Sequence, residues 1–441
     1  MSLVDDASRR ASCSGRITML KVKSVLSRSN GSLTATALLL SLIVPACAVD
    51  ASSDDGTSTA DVKHTPTTIQ MNDVSVLYPL ATSASDIDNY LSPTSKGAGG
   101  LLLPSTIFDA IAAQVQGING PPAIDDLHVV AMRMDPCFAQ IGPVTDPSAC
   151  AHMIRLVYQI VQPSTASGTP VTVGDSGFHV FYSLTPDQFD SALKEVVALR
   201  IANGTGSDLG PLAVHPIMKQ QGLSGAEAQG LNAIIEKYAG AANITKITGF
   251  LGVFSQHTSW NFAASDVVDG QTTPAQIASL TDGTMEQTVS LGTAPTGLIQ
   301  LGFQQTTTKD NVQPLLSAVV QDSSATVRQA AFDSALRVEN PNFHSPNTID
   351  CGSCHTAEIA RQLVGTDFFK LSTTGDANAF VANSKYVTKG DLKASYLAKQ
   401  PNGLAVNLHA FSYDGTAPMI IQRVINETAA IVAALNAPPA S

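Results

Sequence analysis

The feature that most constrains this chain is the pentapeptide Cys351-Gly352-Ser353-Cys354-His355. Asp350 stands where it can cap a helix that the apolar spacing carries to about Val364, with Gly365 as its stop signal. On such a helix residues 351, 354 and 355 fall at i, i+3 and i+4 and share one face. Two thiols on adjacent turns can add to the two vinyl groups of a porphyrin while the imidazole beside them binds its iron, so the spacing predicts covalent attachment of one haem. Ile359 and Leu363 continue that face and are expected to wall the macrocycle.

Three other chemistries use the same residue types. A thioredoxin-like redox pair also reads CGSC but follows a buried strand, whereas the run from Asn340 to Asp350 is polar and turn-prone. A zinc site needs four ligands, which Cys351, Cys354, His355 and His344 would have to supply without a second cysteine pair. A structural disulfide between Cys351 and Cys354 is the third.

The pentapeptide resembles the attachment site of the c-type cytochromes, a likeness limited to the motif and its surroundings. It implies one covalent haem c on Cys351 and Cys354, with His355 as the proximal iron ligand, in a mainly helical, cytochrome c-like domain expected over residues 311–441. In single-haem cytochromes c a methionine downstream of the attachment helix closes the site. Met419 is the corresponding candidate here, following the loop Asp414–Pro418 and opening a terminal helix through Ile420, Val424, Ile425, Ile431 and Leu435. His409 is the alternative distal ligand, and His344 is nearer in sequence but must fold back from seven residues before Cys351. Methionine opposite histidine raises the reduction potential, two histidines lower it, and an empty site admits a small ligand or peroxide.

An exported context is expected from the N-terminus. Ala35 to Val44 is an apolar run too short to span a bilayer, preceded by Lys21, Lys23 and Arg28 as in a secretory leader, and Met19 is a candidate start. The run ends in Val44-Pro45-Ala46-Cys47, which resembles the lipobox of bacterial lipoproteins. That resemblance implies a signal peptide over residues 1–47, acylation of Cys47 and an envelope protein held to a membrane by its lipid. Residues 48–68, rich in Ser, Thr and Asp, read as a polar, disordered tether. Of the six cysteines, Cys137 and Cys150 remain unassigned and are expected to form a disulfide. It would close the connection between the strand-like runs Leu127 to Met134 and Met153 to Val161, a constraint worth roughly 3 kcal/mol in the chain-entropy model.

Removing residues 1–46 takes away six basic and two acidic side chains, leaving 19 against 34 and a net charge near −15. Such a surface disfavours nucleic acid and favours a basic redox partner if charge steers the encounter. Residues 69–310 read as an α+β region with at least one antiparallel sheet. Its strands include Val74 to Tyr78, runs on either side of Gly174-Asp175-Ser176-Gly177, and alternating segments between Ile244 and Phe303. Thr185 and Ser224 open helices. GDSG resembles the nucleophile segment of trypsin-like proteases, but its context differs, and it is expected to be a hairpin turn. His128, His152, His179, His215 and His257 lack metal-ligand spacing and read as ordinary strand or loop histidines. These features point to an electron-transfer protein of the cell envelope. The alternative is a surface binding or sensor lipoprotein with a structural or ligand-binding haem; a haem peroxidase is disfavoured because the chain has a single CxxCH.

Overall fold

The computed structural model describes residues 68–437 apart from 116–121, 137–150, 165–169, 205–207, 253–258, 293–297, 318–321, 374–376, 394 and 397–405. The expected leader, Cys47, most of the tether and the Cys137–Cys150 pair lie outside the described residues. The described chain belongs to one compact unit, His64–Ser441. Its α+β class is that expected from the sequence.

A nine-stranded antiparallel sheet organises the molecule. Its strands are β1 (Ser75–Leu77), β2 (Leu127–Asp135), β3 (His152–Pro163), β4 (Val171–Leu184), β5 (Ile244–Gly252), β6 (Ser259–Val268), β7 (Gln271–Pro274), β8 (Glu286–Gly292) and β9 (Gln300–Gly302). They lie in the order β1-β2-β3-β4-β5-β6-β8-β9, with β7 turning back on β6. Sequence neighbours pair almost throughout, which is how short connections build an antiparallel sheet.

Both faces of this sheet are covered, and the alternation along each strand assigns its side chains. One face carries Met132, Met134, Leu156, Tyr158, Phe178, Val180, Tyr182 and Ile247, all buried. It packs on helices α1 (Ser105–Gln114) and α2 (Pro186–Asn203), and α3 (Ala226–Tyr238) packs on α2; Phe108 of α1 meets Phe178 edge-on at 5.1 Å. Thr185 caps α2, with Gln188 answering in a capping box.

The other face carries Arg133, Arg155, His179, Phe181, Phe250, Phe262, Trp260 and Val289. Against it lies the C-terminal part: α4 (Ala325–Val338), α5 (Cys351–Glu358), the hairpin β10 (Phe411–Asp414) and β11 (Ala417–Ile420), and the terminal helix α6 (Gln422–Leu435). Phe250, Trp260, Phe262 and Val289 of the sheet share one hydrophobic cluster with Phe332, Ala335, Ala357, Ile359 and Leu408. The boundary expected near residue 310 is therefore not a break between compact units. The C-terminal segment buries its apolar surface against the sheet instead of closing a core of its own.

Three local expectations are corrected. GDSG is not a turn: β4 runs through it as one strand. The register with β3 slips there, so that Gly174, Asp175 and Ser176 oppose Ile160 alone. This is a bulge, a device that re-aims a side chain beside a site. Gly174 has no room for a Cβ, which would lie 2.8 Å from Cδ1 of Ile160.

The attachment helix is α-helical only to Glu358 and continues as a π-helix over Ile359–Phe368, through Gly365. Gly365 is needed for close approach, since a Cβ would stand 2.5 Å from Cδ2 of Phe332. The wider π turn takes Ile359 into the core, away from the expected wall.

Met419 does not open a helix but lies in β11, across from Ser412. Gly415 at φ 54° makes the tight turn, and α6 begins three residues later than expected for that helix, at Gln422.

Candidate functional site

The CxxCH helix is held from the sheet. The Asp350 carboxylate accepts from the Ser353 amide at 2.8 Å and from Nε2 of Gln287, on β8, at 2.7 Å. Oε1 of the same glutamine accepts from the Gly352 amide at 2.7 Å. One strand residue thus satisfies two groups at the helix start, where backbone donors lack helical partners. Gly352 passes so close to Phe303 that a Cβ would lie 2.8 Å from Cδ2 of that ring.

Gly352, Ser353, Thr356, Ala357 and Glu358 are buried, whereas Cys351, Cys354 and His355 are half-buried. Both cysteines are free thiols. Burial pushes both thiol pKa values up, with Asp350 adding to the effect at Cys351. A reactive thioredoxin-type cysteine needs the opposite shift.

The His355 ring packs against both Phe262 and Phe250, at centroid distances of 5.0 and 5.9 Å; those two rings are themselves stacked at 5.4 Å. Its Nδ1 lies against the carbonyl oxygen of Leu408. A carbonyl only accepts, so Nδ1 carries the hydrogen, and no hydrogen bond among the described residues engages Nε2, the arrangement that fixes a metal-binding imidazole. Burial lowers the His355 pKa to about 4, against the opposing pull of the Leu408 carbonyl, so the ring is neutral at physiological pH.

His409 is brought into the same neighbourhood but is occupied. Its ring packs on Phe250 at 4.9 Å, Nε2 meets Oδ1 of Asp175 at 3.0 Å, and Nδ1 meets the Ser412 hydroxyl at 2.8 Å. The other carboxylate oxygen of Asp175 accepts from Nε1 of Trp260 at 2.9 Å. The bulge in β4 thus delivers Asp175 to the loop whose Leu408 carbonyl orients His355. Met419 is fully buried. His344 gives Nε2 to Asp310 at 2.8 Å and places Nδ1 near Thr348, so it is not aimed at the cysteines. Among the described residues no group of three or more His, Cys, Asp or Glu is placed to hold a metal ion, so the four-ligand zinc alternative gains nothing here.

Beside Cys354 lies a buried charge cluster of Arg133, Arg155, Arg423, Asp135 and Glu427, each at most 6% exposed. Arg155 meets Asp135 at 2.8 Å, Arg133 meets Glu427 at 3.1 Å, and Arg423 meets Glu427 at 2.6 Å. Three guanidiniums face two carboxylates.

For a covalently held haem the chain must present two free thiols and an imidazole with an available nitrogen on one face. Cys351, Cys354 and His355 share a helical face, both thiols are free, and Nε2 of His355 has no hydrogen bond among the described residues. Two cavities of about 240 and 210 Å³ lie behind the motif, lined by Glu358, Arg361 and Gln422 and by Glu339, Arg361 and Asn426. Neither is lined by a motif residue.

Those cavities carry a stability prediction. Desolvation raises the Glu339 pKa to about 7 despite the Arg361 guanidinium at 2.6 Å, and burial raises Glu358 as well. A carboxyl whose folded pKa lies above its unfolded value stabilises the fold below the unfolded value, and that contribution is lost as pH rises through the folded one. Unfolding free energy from denaturant titrations should fall by up to about 3 kcal/mol between pH 4.5 and 7.5 on this account, and Glu339→Gln should flatten most of that slope.

Sequence reasoning missed Asp175, Trp260, Phe250, Phe262 and Gln287. The available signal was the pair of glycines around Asp175, which fits a bulge as well as a turn. Comparison with known proteins adds no neighbour: no family model matches the chain, and no curated protein or solved structure is significantly similar to it.

Proposed function

We propose that this chain is a c-type haem protein that transfers electrons at a bacterial cell envelope, tethered through an acylated Cys47. The observation that supports the reading is the His355 imidazole, which gives Nδ1 to the Leu408 carbonyl, has no hydrogen bond at Nε2 among the described residues, and shares a half-buried helical face with the free thiols of Cys351 and Cys354. When bound, the haem supplies a one-electron couple. The protein's part is to hold the imidazole neutral and oriented and to pack it on the stacked rings of Phe250 and Phe262. Asp175, Trp260 and Ser412 fix the 408–412 segment and thereby the acceptor that orients His355. The acidic surface favours a basic redox partner. Among the described residues no helix is long and apolar enough to cross a membrane.

The test is the intact mass of protein matured in a haem-ligating host, together with a pyridine haemochrome spectrum. The expected result is one haem per chain of the type bound through two thioethers, and an N-terminus at a modified Cys47. Colourless protein at the mass of bare polypeptide overturns the reading. A holoprotein whose ferrous iron binds carbon monoxide in its wild-type form would move the function from carrier to sensor.

A further inference from the structure

We propose that the cavity of about 210 Å³ lined by Glu339, Arg361, Gln422 and Asn426 is a binding site for a small organic ammonium ion, independent of the haem reading above. It is bounded by Leu336 on α4, Glu339 at the end of that helix, Arg361 on the π-helix, the 379–392 segment, and Gln422 and Asn426 on α6. Glu339 is 2% exposed. Its Oε2 accepts from Nε of Arg361 at 2.6 Å, whereas Oε1 is buried without a hydrogen-bond partner. Leaving a buried carboxylate oxygen unbonded costs stability, and this residue stands in the wall of a space that can hold the missing donor.

The rest of the wall indicates what that donor is. Gln422 spends its amide hydrogens on the protein, Nε2 donating to the Leu392 carbonyl at 3.0 Å and to Oδ1 of Asn426 at 2.9 Å, so what it has left to offer is the acceptor Oε1. Asn426 gives Nδ2 to the Glu339 backbone carbonyl at 2.9 Å, and its Oδ1, with one hydrogen bond, has capacity for a second. Three acceptors with capacity to spare match the three donors of a primary ammonium group. The charges agree. Glu339 and Glu358 share the Arg361 guanidinium, at 2.6 and 3.8 Å, while Arg423 is committed to Glu427 and to the Val338 and His344 carbonyls. One buried carboxylate is left without its own counter-charge. Leu336, Ala379, Phe380 and Leu392 complete the wall and suit a short alkyl chain. Pockets for drug-sized ligands run to roughly 300–1,000 Å³, so the occupant here is small. A metal ion fits less well, because calcium takes about 6–8 oxygen ligands and no group of three or more His, Cys, Asp or Glu among the described residues is placed to hold one.

The test is calorimetric titration of the mature full chain with butylammonium chloride, against sodium chloride at equal ionic strength. Butylammonium should bind saturably at one per chain. Butanol, which keeps the alkyl chain without the charge, and butyrate, which reverses the charge, should not. The charged groups facing Glu339 are Arg361 of the π-helix, Glu358 of α5 and Arg423 of α6, and desolvation outweighs them to hold its folded pKa at about 7. A cation binds the ionised form, so affinity should rise about tenfold from pH 6 to pH 8 as Glu339 loses its proton. Glu339→Gln, which keeps the shape, should weaken binding at pH 8 by about tenfold or more and remove that pH dependence. Ala379→Leu, which narrows the apolar wall without touching a charge, should also weaken binding, and it keeps the test decisive should Glu339→Gln fail to fold. Lys393→Ala, in the wall of the other cavity alone, should bind as wild type does. Absence of saturable butylammonium binding in the millimolar range, equal binding of butyrate, or binding that Glu339→Gln leaves intact overturns the site, and none of these outcomes bears on the haem.

Discussion

With Cys351 and Cys354 both replaced by alanine, protein made alongside a haem-ligation system should carry no haem that survives denaturation, against one per chain in wild type. The bond-forming step explains the size of the effect. Each thiol adds across one vinyl double bond, its sulfur joining one carbon and its hydrogen the other, so no oxidant is consumed but both sulfurs must arrive reduced. The structure keeps them in that state. Burial holds both thiols protonated, and a protonated thiol is a poor partner for oxidation or exchange. Alanine is a good helix former, and both positions are half-buried, so α5 and its Gln287 clamp should persist. Far-ultraviolet circular dichroism of the double variant should therefore match that of wild-type apoprotein. Haem staining after denaturing electrophoresis, with intact mass, is the measurement. Covalent haem retained by the double variant would remove the pentapeptide from the argument.

The order in which these residues became legible follows from the range of the forces involved. The motif's shared face, the Asp350 cap and the Thr185 capping box are set by residues three or four apart, and sequence spacing reports them directly. The strands of the sheet could be read because alternation at period two survives wherever one face is apolar. What failed depends on partners far along the chain. Whether Gly-Asp-Ser-Gly turns or bulges is decided by Trp260 and His409, 85 and 234 residues away from Asp175. Helical spacing after Met419 was real, yet the hairpin with β10 captured the residues before Gln422. The packing of His355 on Phe250 and Phe262, 105 and 93 residues earlier in the chain, likewise has no local signature, because it depends on how the sheet meets a distant helix.

That dependence on the sheet makes the buried charges at its centre the most sensitive point of the fold. Glu427→Ala should lower the unfolding free energy of the apoprotein by about 3–5 kcal/mol, the usual cost of stranding buried charge by removing one partner. The Glu427 carboxylate bridges Arg133 of β2 and Arg423 of its own helix, at 3.1 and 2.6 Å. Without it, three guanidiniums with almost no access to water would face Asp135 alone. Arg423 also donates to the backbone carbonyls of Val338 and His344, which close the end of α4 and the loop leading to α5, so the disturbance should reach the motif. Those same guanidiniums, Arg423 foremost with Arg133 and Arg155, hold the Glu427 pKa below the ordinary carboxylate value despite its burial. A depressed folded pKa stabilises the protein above the unfolded value, and that support is lost as pH falls through the folded one. The wild type should therefore lose stability on acidification in a range where Glu427→Gln, which cannot ionise, is already weakened and changes less. Denaturant titrations of both variants at neutral and acid pH would measure this. A loss below about 1 kcal/mol for Glu427→Ala would mean that the cluster behaves as a solvated surface network.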